Sequence, residues 1–217
     1  MPVNAILFDL DGTLLDTLSD IGRSANRVLS DRGFPCHEID AYRQFIGNGA
    51  AVLMARALPE DQRSDETIRN CLAAFKEDYG QHWNENTAPY PGIPELLDLL
   101  TKRGLKMAVL SNKPHDFTVK CVTELLSEWK FDVVIGQQAS RPRKPHPAGA
   151  LEVAKRLLLP PSDFLYLGDS GVDMKTAIAS GMLPVGACWG FRSAKELRKS
   201  GGRILIHHPK ALPEHLS

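Results

Sequence analysis

Residues 5–16 read Ala5-Ile6-Leu7-Phe8-Asp9-Leu10-Asp11-Gly12-Thr13-Leu14-Leu15-Asp16. The four apolar residues from Ala5 to Phe8 form a run of the length expected for a strand buried on both faces, and two carboxylates spaced two apart follow at once. Charges directly after a buried strand are costly unless metal, phosphate or hydrogen bonds answer them, and Gly12 lets the backbone turn at that point. Ligands in open α/β sheets bind beyond the carboxyl ends of the strands, so the segment predicts a parallel sheet with a site at Asp9 and Asp11. On this stretch alone, the alternative is that both aspartates only cap a turn.

Further apolar runs downstream read as strands: Met107 to Leu110, Val133 to Ile135, Phe164 to Leu167, Val185 to Cys188 and Ile204 to Ile206. Helical stripes lie between most of them, such as Ile93, Leu96, Leu97 and Leu100 closed by Gly104, and Val119 through Trp129. This alternation predicts an α/β fold, a doubly wound, Rossmann-like parallel sheet. The interval between the first two strands is far longer than one crossover helix requires. It holds helical spacings at Leu14 to Leu29 and Ile68 to Trp83, with shorter segments between, until Pro89-Tyr90-Pro91-Gly92 marks the return to the sheet. The expected domains are therefore a core of residues 1–16 and 88–217 and an all-helical insertion over 17–87.

The 217 residues are 43% hydrophobic and 24% charged, enough for a sizeable core and unlike a disordered chain. Lysine plus arginine and aspartate plus glutamate number 26 each, so no global field draws the chain to nucleic acid or anionic membrane. A small molecule is the expected partner, and monomer and homodimer both fit. Cys36, Cys71, Cys121 and Cys188 are scattered without zinc or dithiol spacing and are expected to be buried, reduced thiols. The apolar stretch after Met1 is too short for a signal peptide and no run reaches membrane-spanning length, so a cytoplasmic location is expected.

Three more segments carry chemistry. Leu167-Gly168-Asp169-Ser170-Gly171-Val172-Asp173 again places acids just after a strand, and two acidic strand ends with oxygen donors alone favour Mg²⁺. Asp169 or Asp173 capping the next helix is the plainer reading. Ser111-Asn112-Lys113 offers a hydroxyl and backbone N–H groups at a strand end, and Arg143-Lys144-Pro145-His146-Pro147 holds an ammonium in a stiffened loop. Such groups offset the repulsion between carboxylates and a dianionic phosphate.

Taken together, these four segments resemble the haloacid dehalogenase (HAD) superfamily, whose pattern is an Asp-x-Asp-Gly-Thr loop, a Ser or Thr, a Lys and a terminal Gly-Asp-x-x-x-Asp. The resemblance spans essentially the whole chain, including Tyr90-Pro91-Gly92 and Trp189-Gly190-Phe191-Arg192, and is nearest the phosphoglycolate phosphatase branch. It implies a HAD-like core with a mobile helical cap, and a phosphatase that hydrolyses a small phosphate ester through an aspartyl-phosphate intermediate. Asp9 would be the nucleophile and Asp11 the general acid and base. Ser111 and Lys144 would hold phosphoryl oxygens, with Gly12, Asn112 and Gly168 shaping the loops. Mg²⁺ would be bound by Asp9, Asp169, the Asp11 carbonyl and, directly or through water, Asp173. Asn48, in the turn Gly47-Asn48-Gly49, is the cap residue expected to help choose the substrate, while Arg43 and Arg56 read as solvated. A sugar phosphomutase shares fold and nucleophile, and a non-catalytic phosphate sensor on the same fold is the alternative from another class; that protein would be expected to lack a catalytic residue, and none is missing. A haloacid dehalogenase proper lacks an Asp at the position of Asp11.

Overall fold

The computed structural model describes residues 3–216. The chain opens with β1 (Ala5–Phe8) and β2 (Leu15–Asp16), then runs through α1 (Leu18–Ser30), α2 (Tyr42–Phe45), α3 (Ala50–Ala57) and α4 (Asp65–His82). After β3 (Ala88–Pro89) it alternates through α5 (Ile93–Lys102), β4 (Lys106–Pro114), α6 (His115–Leu125), β5 (Val133–Gln137), α7 (Ala148–Leu157) and β6 (Phe164–Gly168). It ends with α8 (Gly171–Ser180), β7 (Leu183–Ala187), α9 (Ala194–Lys199), β8 (Ile204–Ile206) and a short 3₁₀ segment. The chain folds into two compact units, Met1–Leu15 with Pro89–Ser217, and Asp16–Ala88.

The first unit is built on a six-stranded sheet of order β5-β4-β1-β6-β7-β8. Every pairing in it is parallel. The chain winds outward from β1 to β5 and then returns beside β1 at β6, which places the topological switch point at the carboxyl ends of β1 and β6. Every residue of β1 and β6 is buried, so both faces must be covered, as parallel sheets with crossover helices require. Ala5, Leu7, Leu110, Ile135, Phe164 and Tyr166 share one core with Ala150 and Val153 of α7 and Ala177 of α8. Each large apolar side chain buried there contributes roughly 1.5–3 kcal/mol.

β4 departs from the expected strand: it continues past Leu110 to Pro114, with a register shift against β5 between those two residues. Ser111, Asn112 and Lys113 therefore sit on an extended strand rather than in a loop. Trp129 falls beyond the end of α6, which stops at Leu125. Among the cysteines, Cys71 and Cys121 are buried, Cys188 is half-buried and Cys36 is exposed, which corrects the expectation of four buried thiols.

In the second unit α1 lies along α4. Arg27 of α1 grips Asp78 of α4 through Nε at 2.8 Å and Nη2 at 2.7 Å. Phe75 and Tyr79 of α4 stack with centroids 5.4 Å apart. Asp20 is buried, and its carboxylate accepts from Asn86 N and Nδ2 and from Thr87 N and Oγ1, at 2.7–3.1 Å. Burial opposes ionisation of Asp20, but these donors outweigh it and hold its pKa below the ordinary carboxylate value.

Candidate active site

Phe8 is in register with Leu167, so the carboxylates that follow β1 and β6 emerge side by side. Asp9 N extends that ladder by donating to Leu167 O at 2.9 Å, after which the chain turns sharply. Leu10 O accepts from the N–H groups of Thr13, Leu14 and Leu15 at 3.0–3.2 Å, closing the turn. Gly12 is obligatory here, since it has φ +84° and a Cβ would collide with the Asp169 carboxylate. Gly168 faces a comparable limit: a Cβ would run into the side chain of Asp173.

Lys144 lies at the centre of the buried charges. Its Nζ is 2.9 Å from Asp9 Oδ1 and 2.7 Å from Asp173 Oδ1, and it donates to Leu110 O at 3.0 Å. Asn112 stitches the Lys144 backbone to β4: its Nδ2 donates to Lys144 O at 3.2 Å and its Oδ1 accepts from Lys144 N at 3.0 Å. The Lys144–Pro145 peptide is cis. Both oxygens of Asp173 are engaged, Oδ1 by Lys144 and by Tyr166 OH at 3.3 Å, Oδ2 by Ser170 N at 3.1 Å and Ser170 Oγ at 2.5 Å. Ser170 and Asp173 thereby close a capping box at the start of α8. Asp169 Oδ2 accepts from Phe191 N at 2.7 Å, and Oδ1 from Thr13 Oγ1 at 3.4 Å.

One ligand atom each from Asp9, Asp169 and Asp173, all buried, lie within 4.8 Å of one another. Two like charges about 4 Å apart repel by on the order of 4 kcal/mol even at an effective dielectric of 20. A neutral hydrogen bond offsets only about 1 kcal/mol. Burial and the Asp173 charge push Asp9 well above the ordinary carboxylate range against the pull of Lys144, and burial with Asp173 raises Asp169 to about 7. Lys144 is held firmly protonated, because Asp173 and Asp9 outweigh its own burial. The cluster has an excess of buried negative charge and oxygen donors alone, which fits a hard divalent cation. Asp9 and Asp169 suit direct ligation, whereas Asp173, whose two oxygens already take four donors with the Lys144 ammonium among them, suits contact through a water.

Asp11 stands apart from this cluster, with its Oδ1 3.0 Å from Lys113 Nζ. Ser111, buried, accepts from Lys113 N at 3.2 Å. The core unit thus brings Asp9, Asp11, Gly12, Ser111, Asn112, Lys144, Asp169 and Asp173 to neighbouring strand ends and loops. Asn48 belongs to the helical unit, where its Oδ1 accepts from Arg56 Nη2 at 3.0 Å. Arg56 also donates to Gln44 O and Phe45 O, so it braces the turn rather than standing in solvent. Sequence reasoning missed the parts played by Lys113, Tyr166 and Ser170. No sequence signal marks Lys113, since residues 111–113 are polar and lie in the register shift between Leu110 and Pro114. Trp189 Nε1 donates to Thr13 O at 3.0 Å, and Phe191 is buried, so these aromatics buttress the Asp11–Thr13 turn.

The family model for haloacid dehalogenase-like hydrolases matches residues 6–187. A phosphoglycolate phosphatase of Pseudomonas putida is 32% identical over 211 residues, covering 95% of this chain and 77% of the relative. Phosphoglycolate phosphatase 1 of Pseudomonas aeruginosa is 33% identical with the same coverage of both chains. The crystal structure of a candidate phosphoglycolate phosphatase from Lactobacillus delbrueckii subsp. bulgaricus matches with a TM-score of 0.94 at 31% identity, over 100% of this chain and 99% of that one.

Proposed function

The chain belongs to the haloacid dehalogenase-like hydrolases and is a phosphatase of that family, and from this premise we propose that it hydrolyses a small phosphomonoester, phosphoglycolate first, by way of a phosphorylated Asp9. The observation that carries the reading is the Lys144 ammonium held between Asp9 and Asp173 beside Asp169, with Asp11 kept separately on Lys113. Asp9 attacks phosphorus, while Ser111 and Lys144 donate to the phosphoryl oxygens. Asp11 gives a proton to the leaving alkoxide and, as the carboxylate, then takes one from the water that cleaves the aspartyl phosphate. Asp9, Asp169, the Asp11 carbonyl and, through water, Asp173 would hold Mg²⁺. When bound, it supplies the positive charge that lets a carboxylate approach a phosphate dianion. Residues 1–16 and 88–217 are the catalytic core in this reading, and residues 17–87 the cap that selects the ester, Asn48 among its determinants.

Phosphoglycolate is chosen because the relatives from Pseudomonas putida and Pseudomonas aeruginosa carry that name. No helix among the described residues is long and apolar enough to cross a membrane. The test is phosphate release from a panel of esters with and without Mg²⁺. The expected result is turnover that EDTA abolishes, led by phosphoglycolate and absent from Asp9→Asn. Full activity after chelation would remove the metal from the scheme, and a sugar-bisphosphate requirement would turn the assignment to a mutase.

A further inference from the structure

We propose that Lys113 is a positioning residue for Asp11: anchored on the extension of β4, its ammonium fixes the Asp11 carboxylate in the place from which it exchanges protons with the leaving group and with water. The inference rests on the proposed acid and base role of Asp11. The pair is 3.0 Å apart, with side chains 4% and 13% exposed. A solvent-facing pair contributes little to stability, and burial brings a desolvation cost, so fold stability alone is a poor reason for a lysine there.

Its backbone is held on several sides. Lys113 N donates to Ser111 Oγ at 3.2 Å, and Lys113 O accepts from Thr118 Oγ1 at 3.2 Å. Gly136 of β5 packs so closely that a Cβ would press on Lys113 O. The rigid strand therefore delivers the ammonium to one point. Lys144 serves Asp9 and Asp173 while Lys113 serves Asp11, so each group that must act in a different step has its own cation. Without Lys113, the ion pair that holds the Asp11 carboxylate is lost, and proton transfer loses its geometry.

The test compares Lys113→Met, Lys113→Arg, Asp11→Asn and the Lys113→Met/Asp11→Asn double variant on phosphoglycolate and nitrophenyl phosphate with Mg²⁺. Lys113→Met is expected to lower kcat on phosphoglycolate about 10- to 100-fold with KM changed less than about threefold, part of the roughly 10²–10⁴ that a positioned proton carrier contributes. On nitrophenyl phosphate, Asp9 should still be phosphorylated, because that leaving group hardly needs protonation, while dephosphorylation slows, so a near-stoichiometric burst of nitrophenol should precede slower steady turnover. Lys113→Arg should recover most of the loss. In the Asp11→Asn background, Lys113→Met should change steady nitrophenyl turnover less than about threefold, since groups acting through one another are not additive. Equal losses on both esters, burst included, that add in the double variant would make Lys113 merely structural and overturn the proposal. A rise in KM on both esters with kcat intact would overturn it in favour of direct phosphate contact. Should Lys113→Met fail to fold, Lys113→Gln reads the same ratio. If Asp11→Asn itself turns over phosphoglycolate normally, the acid and base reading of Asp11 falls, and this inference with it; if only the Lys113 variants behave as wild type, this inference alone is lost.

Discussion

Lys144 touches two carboxylates and a main-chain carbonyl in a space where its own side chain is only 3% exposed, so its removal has consequences of opposite sign. Lys144→Met leaves Asp9, Asp169 and Asp173 buried without their ammonium, and breaking such a pair typically costs about 3–5 kcal/mol. A divalent cation in the same cluster replaces the lost charge. The variant is therefore expected to melt well below the parent in EDTA, to be stabilised by Mg²⁺ more than the parent is, and yet to lose at least about a hundredfold in phosphate release. Thermal unfolding in EDTA and in Mg²⁺, with activity alongside, checks all three; equal melting shifts in both buffers would remove Lys144 from the charge cluster. Residues of this kind differ in how visible they are in sequence. Asp9 and Asp169 were legible because a carboxylate straight after a buried apolar run demands an answer. Lys113 was not, because a lysine in a polar stretch reads as solvated, and only the continuation of β4 to Pro114 turns it toward Asp11. Tyr166 was hidden within an all-buried strand, where its hydroxyl finds Asp173.

At the scale of elements, α8 joins fold and site. Its N-cap Ser170 satisfies the first turn while donating to Asp173 Oδ2, so one hydroxyl both starts the helix and orients a carboxylate that meets Lys144. Ser170→Ala should cost about 1 kcal/mol of stability, or roughly 2–4 °C in Tm for a chain of this size, and lower Mg²⁺-dependent activity beyond what that loss explains. Activity that merely follows the fraction folded would reduce Ser170 to a cap. In the helical unit, Gly47 and Gly49 have φ of +114° and +91°, and Arg56 braces the turn between them through Asn48. Asn48→Ala is expected to change the ratio of kcat/KM among esters severalfold while sparing nitrophenyl phosphate; a uniform loss would argue that the turn supports folding alone. The strands were readable as apolar runs at alternating positions with helical stripes, and all six appear in the sheet. Hydropathy could not show where β4 ends, because Ser111 to Lys113 are polar and lie in the register shift between Leu110 and Pro114, the residues that pair with β5 on either side. Nor could it show that Leu14 belongs to a turn closed by Leu10 O rather than to α1.

For the molecule as a whole, the Asp9 and Asp169 carboxyls of the α/β unit and the Asp20 carboxyl of the helical unit are shifted in opposite directions, and this separates their responses to pH. Asp169, raised to about 7, and Asp9, raised well above the ordinary carboxylate range by burial and Asp173, bind protons more tightly folded than unfolded. Their contribution is fully present below the unfolded carboxylate value of about 3.9 and is lost as pH rises through the folded values. Asp20 has the opposite sign: its lowered value gives stability above about 3.9 that is lost only as pH falls through a still lower folded value. Between about pH 8 and pH 5.5, then, the α/β unit in EDTA should grow more stable as protons replace the missing cation, while the Asp20 contribution to the helical unit stays constant. Mg²⁺ competes with those protons, so saturating metal should raise stability at pH 8 most and flatten or reverse the slope. Hydrogen exchange resolved by peptide provides the measurement, since it reports Ala5–Phe8 and Phe164–Gly168 separately from Leu18–Ser30. The expected outcome is protection of the two strands that rises on acidification only in EDTA, with α1 unchanged over the same range. Strands that lose protection on mild acidification without metal would mean that the three carboxylates are answered by something other than protons or a cation. Asp20→Asn supplies the complementary arm: it should weaken α1 and the Asn86–Thr87 segment at neutral pH, where the carboxylate is charged and five hydrogen bonds depend on it, and leave the Mg²⁺ response of the strands intact.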